Sequence, residues 1–376
     1  MIKIVSDDKI PFLKGTLEPY AEITYLPGSK ITAADVADAD AIITRTRTKC
    51  NAALLENSKV KFIGTATIGF DHIDYQWVEG MGIGWTNAPG CNSGSVKQYM
   101  AAAFSLLIKE KGVSLKGKTI GIVGVGNVGK KVAEVAKAFG MNVLLNDPPR
   151  QRAEGGNFVS FDEVVAKSDI ITFHTPLNRE GEDKTYHLFN KSLISKLKRG
   201  VVICNTCRGE VIETEALKEA LQQGVVSEAI IDVWENEPSI DLQLLDNVFI
   251  ATPHIAGYSL DGKANGTAMV VQALSKHFDL PLKDWFPATI PAPEQSEIRV
   301  EVLQRSVEQM LADVVLHTYP IRRDDKTLRQ SVETFEDQRG SYPLRREFEA
   351  YAVINQDLPV DLTQVWTDLG FTVLQP

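Results

Sequence analysis

Gly124-Val125-Gly126-Asn127-Val128-Gly129 is the stretch on which the fold turns. Glycines at this spacing are weak evidence alone. Here the apolar run Thr119-Ile120-Gly121-Ile122-Val123 precedes them and a helical pattern follows, the context a dinucleotide-binding turn requires. Gly124 allows the tight turn, Gly126 lets the backbone approach a pyrophosphate, and Gly129 lets helix and strand pack closely. Asn127 and Val128 open the helix, whose N-terminal N–H groups and dipole favour phosphate. Val128, Val132, Val135, Ala136 and Phe139 then fall on one stripe of a 3.6-residue period. About twenty residues on, Asn146-Asp147 ends the next apolar run. A carboxylate there accepts from ribose hydroxyls and repels a 2′-phosphate, which selects NAD over NADP.

Working outward, further Ile- and Val-rich runs appear at Val143–Asp147, Asp169–His174, Val201–Thr206, Ala229–Val233 and Val248–Pro253. With Thr119–Val123 they suit strands buried on both faces of a doubly wound parallel sheet. A helical pattern covers Thr214–Gln222, with Thr214 as the expected N-cap and Gly224 past its end. Upstream, Ile2–Val5, Ile23–Leu26, Ala41–Thr44, Lys61–Gly64 and Ile83–Trp85 alternate with polar or helical stretches, and so read as a second set of βαβ units. A long helix is expected over Val96–Lys111, ending at Gly112. Beyond Lys276 the texture changes: Pro281, Pro287, Pro291 and Pro293 read as a linker, followed by an amphipathic helix near Val302–Leu316.

The chain has 376 residues, 44% hydrophobic and 24% charged, with a formal net charge of -9. That is enough chain for two or three domains. The acidic balance argues against nucleic acid or an anionic membrane as partner, since both reward a basic face. The apolar start turns polar at Ser6-Asp7-Asp8, too early for a signal peptide, and no run reaches the roughly 18 apolar residues of a membrane span. Cys50, Cys91, Cys204 and Cys207 are too few for a disulfide framework in a chain this long. A cytoplasmic location is the expectation.

Three residues at expected strand ends carry complementary chemistry: Arg208 in Cys207-Arg208-Gly209, Glu237 in Trp234-Glu235-Asn236-Glu237-Pro238, and His254 in Thr252-Pro253-His254. In an open α/β sheet, ligands lie outside the carboxyl ends of the strands, where such residues converge. A guanidinium holds a carboxylate in two parallel hydrogen bonds and polarises the neighbouring carbon–oxygen bond. An imidazole takes a hydroxyl proton as hydride leaves, and a carboxylate on its other nitrogen orients it. A lone histidine after proline is more often structural, and a lone glutamate before proline usually ends an element; the set carries the weight.

With these motifs in order, residues 124–257 resemble the D-isomer-specific 2-hydroxyacid dehydrogenase family. Asp169-Ile170-Ile171-Thr172-Phe173-His174-Thr175-Pro176-Leu177 resembles its cofactor-facing strand and loop, and Thr252-Pro253-His254-Ile255-Ala256-Gly257 its histidine motif. The likeness extends over about residues 1–285. Gly64-Thr65-Ala66-Thr67-Ile68-Gly69, Pro89-Gly90-Cys91-Asn92, Asp147-Pro148-Pro149-Arg150 and His254 to Lys263 are similar to one branch of the family in particular. Members of that branch oxidise 4-phospho-D-erythronate at C2 to 3-hydroxy-2-oxo-4-phosphobutanoate in vitamin B6 formation, and they carry a C-terminal dimerisation domain.

The resemblance implies an α/β fold of two Rossmann-like, doubly wound parallel-sheet domains plus a small C-terminal α+β dimerisation domain. The substrate-binding domain would span 1–95 and 256–285, the NAD-binding domain 96–255, and the dimerisation domain 286–376, with substrate held in a cleft. Catalysis would fall to Arg208, Glu237 and His254. Asp147, Thr175, Asp232 and Gly257 would join the glycine turn in holding NAD, and Thr46, Thr67 and Tyr258 would contact the phosphorylated 2-hydroxy acid. Asn92-Ser93-Gly94-Ser95-Val96-Lys97-Gln98 departs from the family pattern, so no roles are transferred there. Arg45-Thr46-Arg47 departs too, and two arginines flanking a threonine suggest a phosphate collector, Arg45 first. The alternative activities are another 2-hydroxyacid dehydrogenase, such as phosphoglycerate dehydrogenase, and a non-catalytic dinucleotide sensor.

Two other motifs are set aside. Cys204-Asn205-Thr206-Cys207 lies along a strand, where residues three apart face opposite ways, and it lacks a second ligand pair for zinc. Asp71-His72-Ile73-Asp74 suits a helix cap better than a metal site.

Overall fold

The structure is a computed structural model that describes residues 1–300, 305–354 and 360–374. It divides into two compact units. One comprises Met1–Asn92 with Ser259–Pro291, the other Ser93–Tyr258 with Ala292–Pro376.

The first unit is built on a parallel sheet of β1 (Ile2–Asp7), β2 (Ala21–Leu26), β3 (Ala41–Thr44), β4 (Phe62–Thr65) and β5 (Gly84–Thr86), in the order β2-β1-β3-β4-β5. Side chains alternate along each strand, so Ile4, Ile43 and Phe62 feed one apolar cluster while Val5, Ile42 and Ile63 feed another. Helix Leu260–His277 supplies Val270, Val271 and Leu274 to the first cluster, and its N-cap Ser259 accepts from the Gly262 N–H. On the other side, Asp74 caps helix Tyr75–Gly80 by accepting from the Trp77 N–H. The capping reading of Asp71–Asp74 thus falls on its last residue.

The second unit carries six parallel strands: β6 (Thr119–Val123), β7 (Asn142–Asn146), β8 (Ile170–Phe173), β9 (Val201–Asn205), β10 (Val226–Ile231) and β11 (Ile250–Ala251). Their order, β11-β10-β9-β8-β6-β7, reverses direction at β6, the switch point of a doubly wound sheet. The helix after the glycine turn spans Asn127–Ala138 and buries Val132, Val135 and Ala136, as the stripe requires. Helix Thr214–Gln222 begins one residue earlier than expected in capping terms. Glu213 occupies the N-cap, and the Thr214 N–H is taken by the Glu235 carboxylate at 2.8 Å.

Helix Ser93–Lys111 is buried from Ser93 through Leu107. The run Ala101-Ala102-Ala103-Phe104 is apolar all round, and a helix of that kind must be covered on every side. Helix Asn127–Ala138 and the sheet cover one side; helix Val307–Thr318, with Met310, Leu311, Val314 and Val315 buried, joins the same cluster. Full burial of each such side chain contributes about 1.5–3 kcal/mol. The expected helix near Val302–Leu316 is therefore present from Val307; Val302 and Leu303 lie outside the described residues.

The remainder of the C-terminal region forms a small parallel sheet of β12 (Glu297–Arg299), β13 (Ala352–Ile354) and β14 (Thr372–Leu374). It also closes the edge of the large sheet. Asp325 accepts from the Ala251 N–H at 2.8 Å, and Arg322 and Arg329 donate to the Phe249 and Val248 carbonyls, each at 2.8 Å. Side chains thus satisfy an edge that would otherwise offer open hydrogen bonds. Residues 292–376 belong to the compact unit of the glycine-turn sheet.

Candidate active site

The glycine turn follows β6 at the sheet's switch point. A Cβ on Gly129 would lie 2.1 Å from the Gly124 carbonyl oxygen, so the helix approaches the turn as only glycine permits. Gly126 occupies the N-cap with no side-chain cap bond, and a Cβ there would meet no heavy atom within 4 Å. That open face beside the first helical N–H groups suits a pyrophosphate. Asp147 follows β7, the neighbour of β6; its carboxylate accepts from the Val125 N–H at 2.8 Å and the Arg150 N–H at 3.1 Å. Arg150 in turn donates to the Val125 carbonyl at 2.6 Å. Thr175 follows β8 on the other side of β6, its hydroxyl 4.0 Å from the Cys207 sulfur. The turn, the acid and the threonine thus end three adjacent strands.

Arg208, Glu237 and His254 follow β9, β10 and β11, which are neighbours in the sheet. His254 Nδ1 lies 2.8 Å from Glu237 Oε2, and Glu237 Oε1 accepts from the Trp234 N–H at 2.8 Å. A carboxylate facing Nδ1 demands a proton there, which leaves Nε2 as the basic nitrogen. Arg208 is brought alongside by its own loop. Asn205, buried at the end of β9, accepts from the Cys207 N–H and donates to the Arg208 carbonyl. A Cβ on Gly209 would lie 2.0 Å from the Trp234 carbonyl, so the arginine loop is pressed against the loop that carries Glu237. The Arg208 guanidinium donates to the Cys207 carbonyl at 2.8 Å.

The two carboxylates here are pushed in opposite directions. Burial raises the Glu237 pKa, but the hydrogen bond and charge of His254 and the Trp234 N–H outweigh it and leave the group below the usual range. Asp232 is 1% exposed, and burial raises its pKa against the pull of His254, Thr252 and two backbone N–H groups. Asp232 accepts from the Thr252 hydroxyl at 2.6 Å, the Ile255 N–H at 2.8 Å and the Ala256 N–H at 2.9 Å. It lies beneath the turn that begins at His254 and runs through Gly257. His254 itself sits at φ 55°, in the left-handed region, and its N–H donates to the Asp232 carbonyl at 2.7 Å. A non-glycine residue there costs about 1–2 kcal/mol, and bonds to neighbouring structure must hold it in place. Tyr258 closes the turn, its N–H on the Ile255 carbonyl and its ring edge-on to Tyr342 at 5.9 Å.

In the first unit, Arg45 and Thr46 follow β3 and Thr67 follows β4, the adjacent strand. Arg45 donates to the Lys9 carbonyl at 3.3 Å, while Thr46 and Arg47 are exposed. Thr67 donates to the Gly69 carbonyl at 2.9 Å, and its oxygen lies 2.8 Å from that of Thr65, which reaches the Arg45 carbonyl at 3.2 Å. The threonines therefore tie the loops after β3 and β4 together at the carboxyl ends of these inner strands.

Several further residues of the second unit lie outside the set assigned from sequence. His174 is held by Thr172 on Nε2 at 2.9 Å and by Thr206 on Nδ1 at 3.2 Å, and burial pushes its pKa down to about 3. Tyr99, fully buried in the long helix, places its hydroxyl 2.7 Å from the Thr252 oxygen and so extends the Asp232 network. Arg339, from the C-terminal region, sits over the Tyr258 ring at 6.0 Å. Arg345 from the same region donates to the Ala256 carbonyl at 2.7 Å. His174 alone was findable, since it ends an expected strand beside Thr175. The cysteines of the CxxC sequence are free thiols, Cys204 buried on β9 and Cys207 half-buried beyond it.

Residues 95–256 match the family described as D-isomer specific 2-hydroxyacid dehydrogenase, NAD binding domain, and residues 289–370 match Domain of unknown function (DUF3410). The chain is 51% identical over 355 residues to the erythronate-4-phosphate dehydrogenase of Bacteroides fragilis, covering 94% of this chain and 99% of that one. Against the enzyme of the same name from Escherichia coli it is 41% identical over 378 residues, covering 99% of each. Among solved structures it is similar to D-lactate dehydrogenase from Aquifex aeolicus complexed with NAD and lactic acid, at 27% identity and TM-score 0.60, covering 77% of this chain and 100% of that one. The chain belongs to the D-isomer-specific 2-hydroxyacid dehydrogenase family, in the branch whose members are named erythronate-4-phosphate dehydrogenase.

Proposed function

We propose that this chain is the NAD-dependent dehydrogenase of 4-phospho-D-erythronate, oxidising C2 to give 3-hydroxy-2-oxo-4-phosphobutanoate for pyridoxine biosynthesis. The observation that carries the chemistry is the 2.8 Å contact between His254 Nδ1 and Glu237 Oε2, which makes Nε2 the proton acceptor. NAD, when bound, supplies the acceptor for the C2 hydride. His254 takes the C2 hydroxyl proton as that hydride departs, and the C2–O single bond becomes a carbonyl. Arg208 holds the substrate carboxylate and the nascent carbonyl oxygen. Glu237 stabilises the imidazolium that forms, and its depressed pKa keeps it charged at neutral pH.

We assign the dinucleotide to Gly124, Gly126, Asn127, Val128 and Gly129, with Asp147, Thr175, Asp232 and Gly257. Substrate contacts are assigned to Arg45, Thr46, Thr67 and Tyr258, with Arg45 for the phosphate. Homodimer formation is assigned to the C-terminal region, residues 286–376. Because that region shares the cluster of helix Ser93–Lys111, the test is sedimentation of the intact chain, and a monomer at assay concentration would refute it. We place the enzyme in the cytoplasm, consistent with four cysteines that are free thiols, three of them buried. Among the described residues no helix is long and apolar enough to cross a membrane.

The deciding experiment is turnover of 4-phosphoerythronate, 3-phosphoglycerate and D-lactate, followed by NADH absorbance with NAD alone, and by chromatography of the oxidised product when an oxo-acid is added to reoxidise any NADH that stays bound. Turnover confined to 4-phosphoerythronate is expected. Turnover only with another acid would retain the chemistry and overturn the substrate, and no turnover with any would favour the dinucleotide sensor.

A further inference from the structure

The turn that carries His254 is gripped through groups of both polarities. Its N–H groups at Ile255 and Ala256 go to the Asp232 carboxylate. Its carbonyls at the same two residues go to one guanidinium nitrogen of Arg345, at 3.4 Å and 2.7 Å. Arg345 lies 89 residues from Ala256 in sequence and is 5% exposed.

The arginine is itself firmly placed. Its guanidinium lies 4.2 Å from the centre of the Tyr319 ring and 5.8 Å from that of Tyr342. Both tyrosine hydroxyls donate to the Asp324 carboxylate, at 2.9 Å and 2.6 Å. Next to Arg345, the Arg346 carbonyl accepts from Gln98 at 2.8 Å, and Glu347 accepts from the Ser95 hydroxyl at 2.8 Å. The segment is therefore tied to the first turns of helix Ser93–Lys111.

Among the described residues, Arg345 Nε and Nη1 have no hydrogen-bond partner. A buried cation with most of its donors unspent is an expensive way to fill space, and an apolar side chain of similar volume would serve stability better. The aromatic faces offset part of that cost. The Asp324 and Glu347 carboxylates offset more of it, and beyond balancing their charge the guanidinium holds the carbonyls of the turn, next to a histidine kept in a left-handed conformation.

We propose that Arg345 is a positioning residue of the hydride-transfer site, so that the C-terminal region forms part of the catalytic site of its own chain. It acts through the 254–258 turn: with both carbonyls gripped, the imidazole stays in register with Glu237 and with the proton it removes. The proposal rests on the assignment of His254 above.

The test compares Arg345→Met and Arg345→Lys in the full-length protein, with NADH sites counted by fluorescence titration and kcat expressed per site. A displacement of about 1 Å in a catalytic group costs on the order of 100-fold. The Met variant should therefore lose 10- to 100-fold in kcat per NADH site, with the NADH Kd within threefold of wild type. The Lys variant, which retains a charged donor, should recover part of that loss. A purely structural role lowers the melting temperature and the number of NADH sites but leaves kcat per site unchanged, and that result would overturn the proposal. Should the Met variant fail to fold, a soluble Lys variant with wild-type kcat per site would overturn it equally. Failure of the His254 assignment is separately visible, because His254→Ala would then turn over like the wild type.

Discussion

Replacing Glu237 by glutamine tests the proton-transfer arrangement most directly. Two donors converge on this carboxylate, the Trp234 N–H on Oε1 and His254 on Oε2, each at 2.8 Å. An amide has one acceptor oxygen and must choose between them. If the oxygen faces His254, the NH2 group opposes a backbone N–H that has no alternative, at a cost of about 1–3 kcal/mol. If it faces Trp234, the NH2 group donates to Nδ1, and the imidazole shifts its proton to Nε2. The second arrangement leaves every group paired and is the one expected. Its consequence is that Nε2, the nitrogen facing the reaction, already bears a proton and cannot accept another. The comparable wrong-tautomer substitution in a Ser-His-Asp triad costs about 10⁴ in kcat. A loss of about 10³–10⁴ is expected here, or about 4–5.5 kcal/mol at 1.36 kcal/mol per decade. Steady-state NADH formation at saturating NAD measures kcat. NADH fluorescence should report an unchanged Kd, since the glycine turn is untouched. A kcat within tenfold of wild type would show that Glu237 does not set the tautomer.

His254→Ala removes the base itself, and kcat should fall by about 10²–10⁴ with little change in NAD affinity; a loss of only a few-fold, measured in the same assay, would exclude the role. Arg45→Met should raise KM for the phosphorylated substrate about 10- to 100-fold, the worth of a charge-assisted hydrogen bond. The comparison is with unphosphorylated erythronate, and equal effects on both would remove Arg45, or Arg47 if tested likewise, from the phosphate. His174, with its pKa pushed down to about 3 by burial, should show no imidazole titration between about pH 5 and 8 by proton NMR. Unfolded, it takes its proton near pH 6.5. The contribution of the neutral ring to stability is thus complete above that pH and is lost as pH falls toward about 3, which urea melts at successive pH values will register.

The sheet of the second unit was legible because its strands are buried on both faces and appear as unbroken apolar runs. Thr119–Val123 coincides with β6, and Val201–Thr206 overshoots β9 by a single residue. The poorest match is Val248–Pro253, of which only Ile250–Ala251 is strand. There the carbonyls of Val248 and Phe249 go to Arg329 and Arg322 rather than to a further strand, a substitution that hydrophobic pattern does not reveal. The convergence of the proposed catalytic set was legible for a topological reason: Arg208, Glu237 and His254 follow β9, β10 and β11, and consecutive parallel strands in this half of the sheet are also neighbours in space. Thr214 misled because threonine favours the N-cap, whereas Glu235 takes its N–H from outside the helix and moves the cap to Glu213.

The support beneath the catalytic set was not legible, because it is made by residues far apart in the chain. The Tyr99–Thr252 contact spans 153 positions, and Ser95–Glu347 spans 252. Neither leaves a periodic or spaced signature. One signal was nevertheless available. Helix Ser93–Lys111 carries Ala101-Ala102-Ala103-Phe104, and residues apolar on all sides of a helix cannot be covered by a sheet and one neighbouring helix alone. A further layer was required, and the amphipathic pattern near Val302–Leu316 was the segment left to provide it. Helix Val307–Thr318 does so, and the chain that follows it brings Arg345 to the carbonyls of the His254 turn. Burial of an apolar helix and positioning of a catalytic base are in this way coupled through one region. A substitution at that helix contact therefore acts on turnover through the placement of Arg345 as well as on stability.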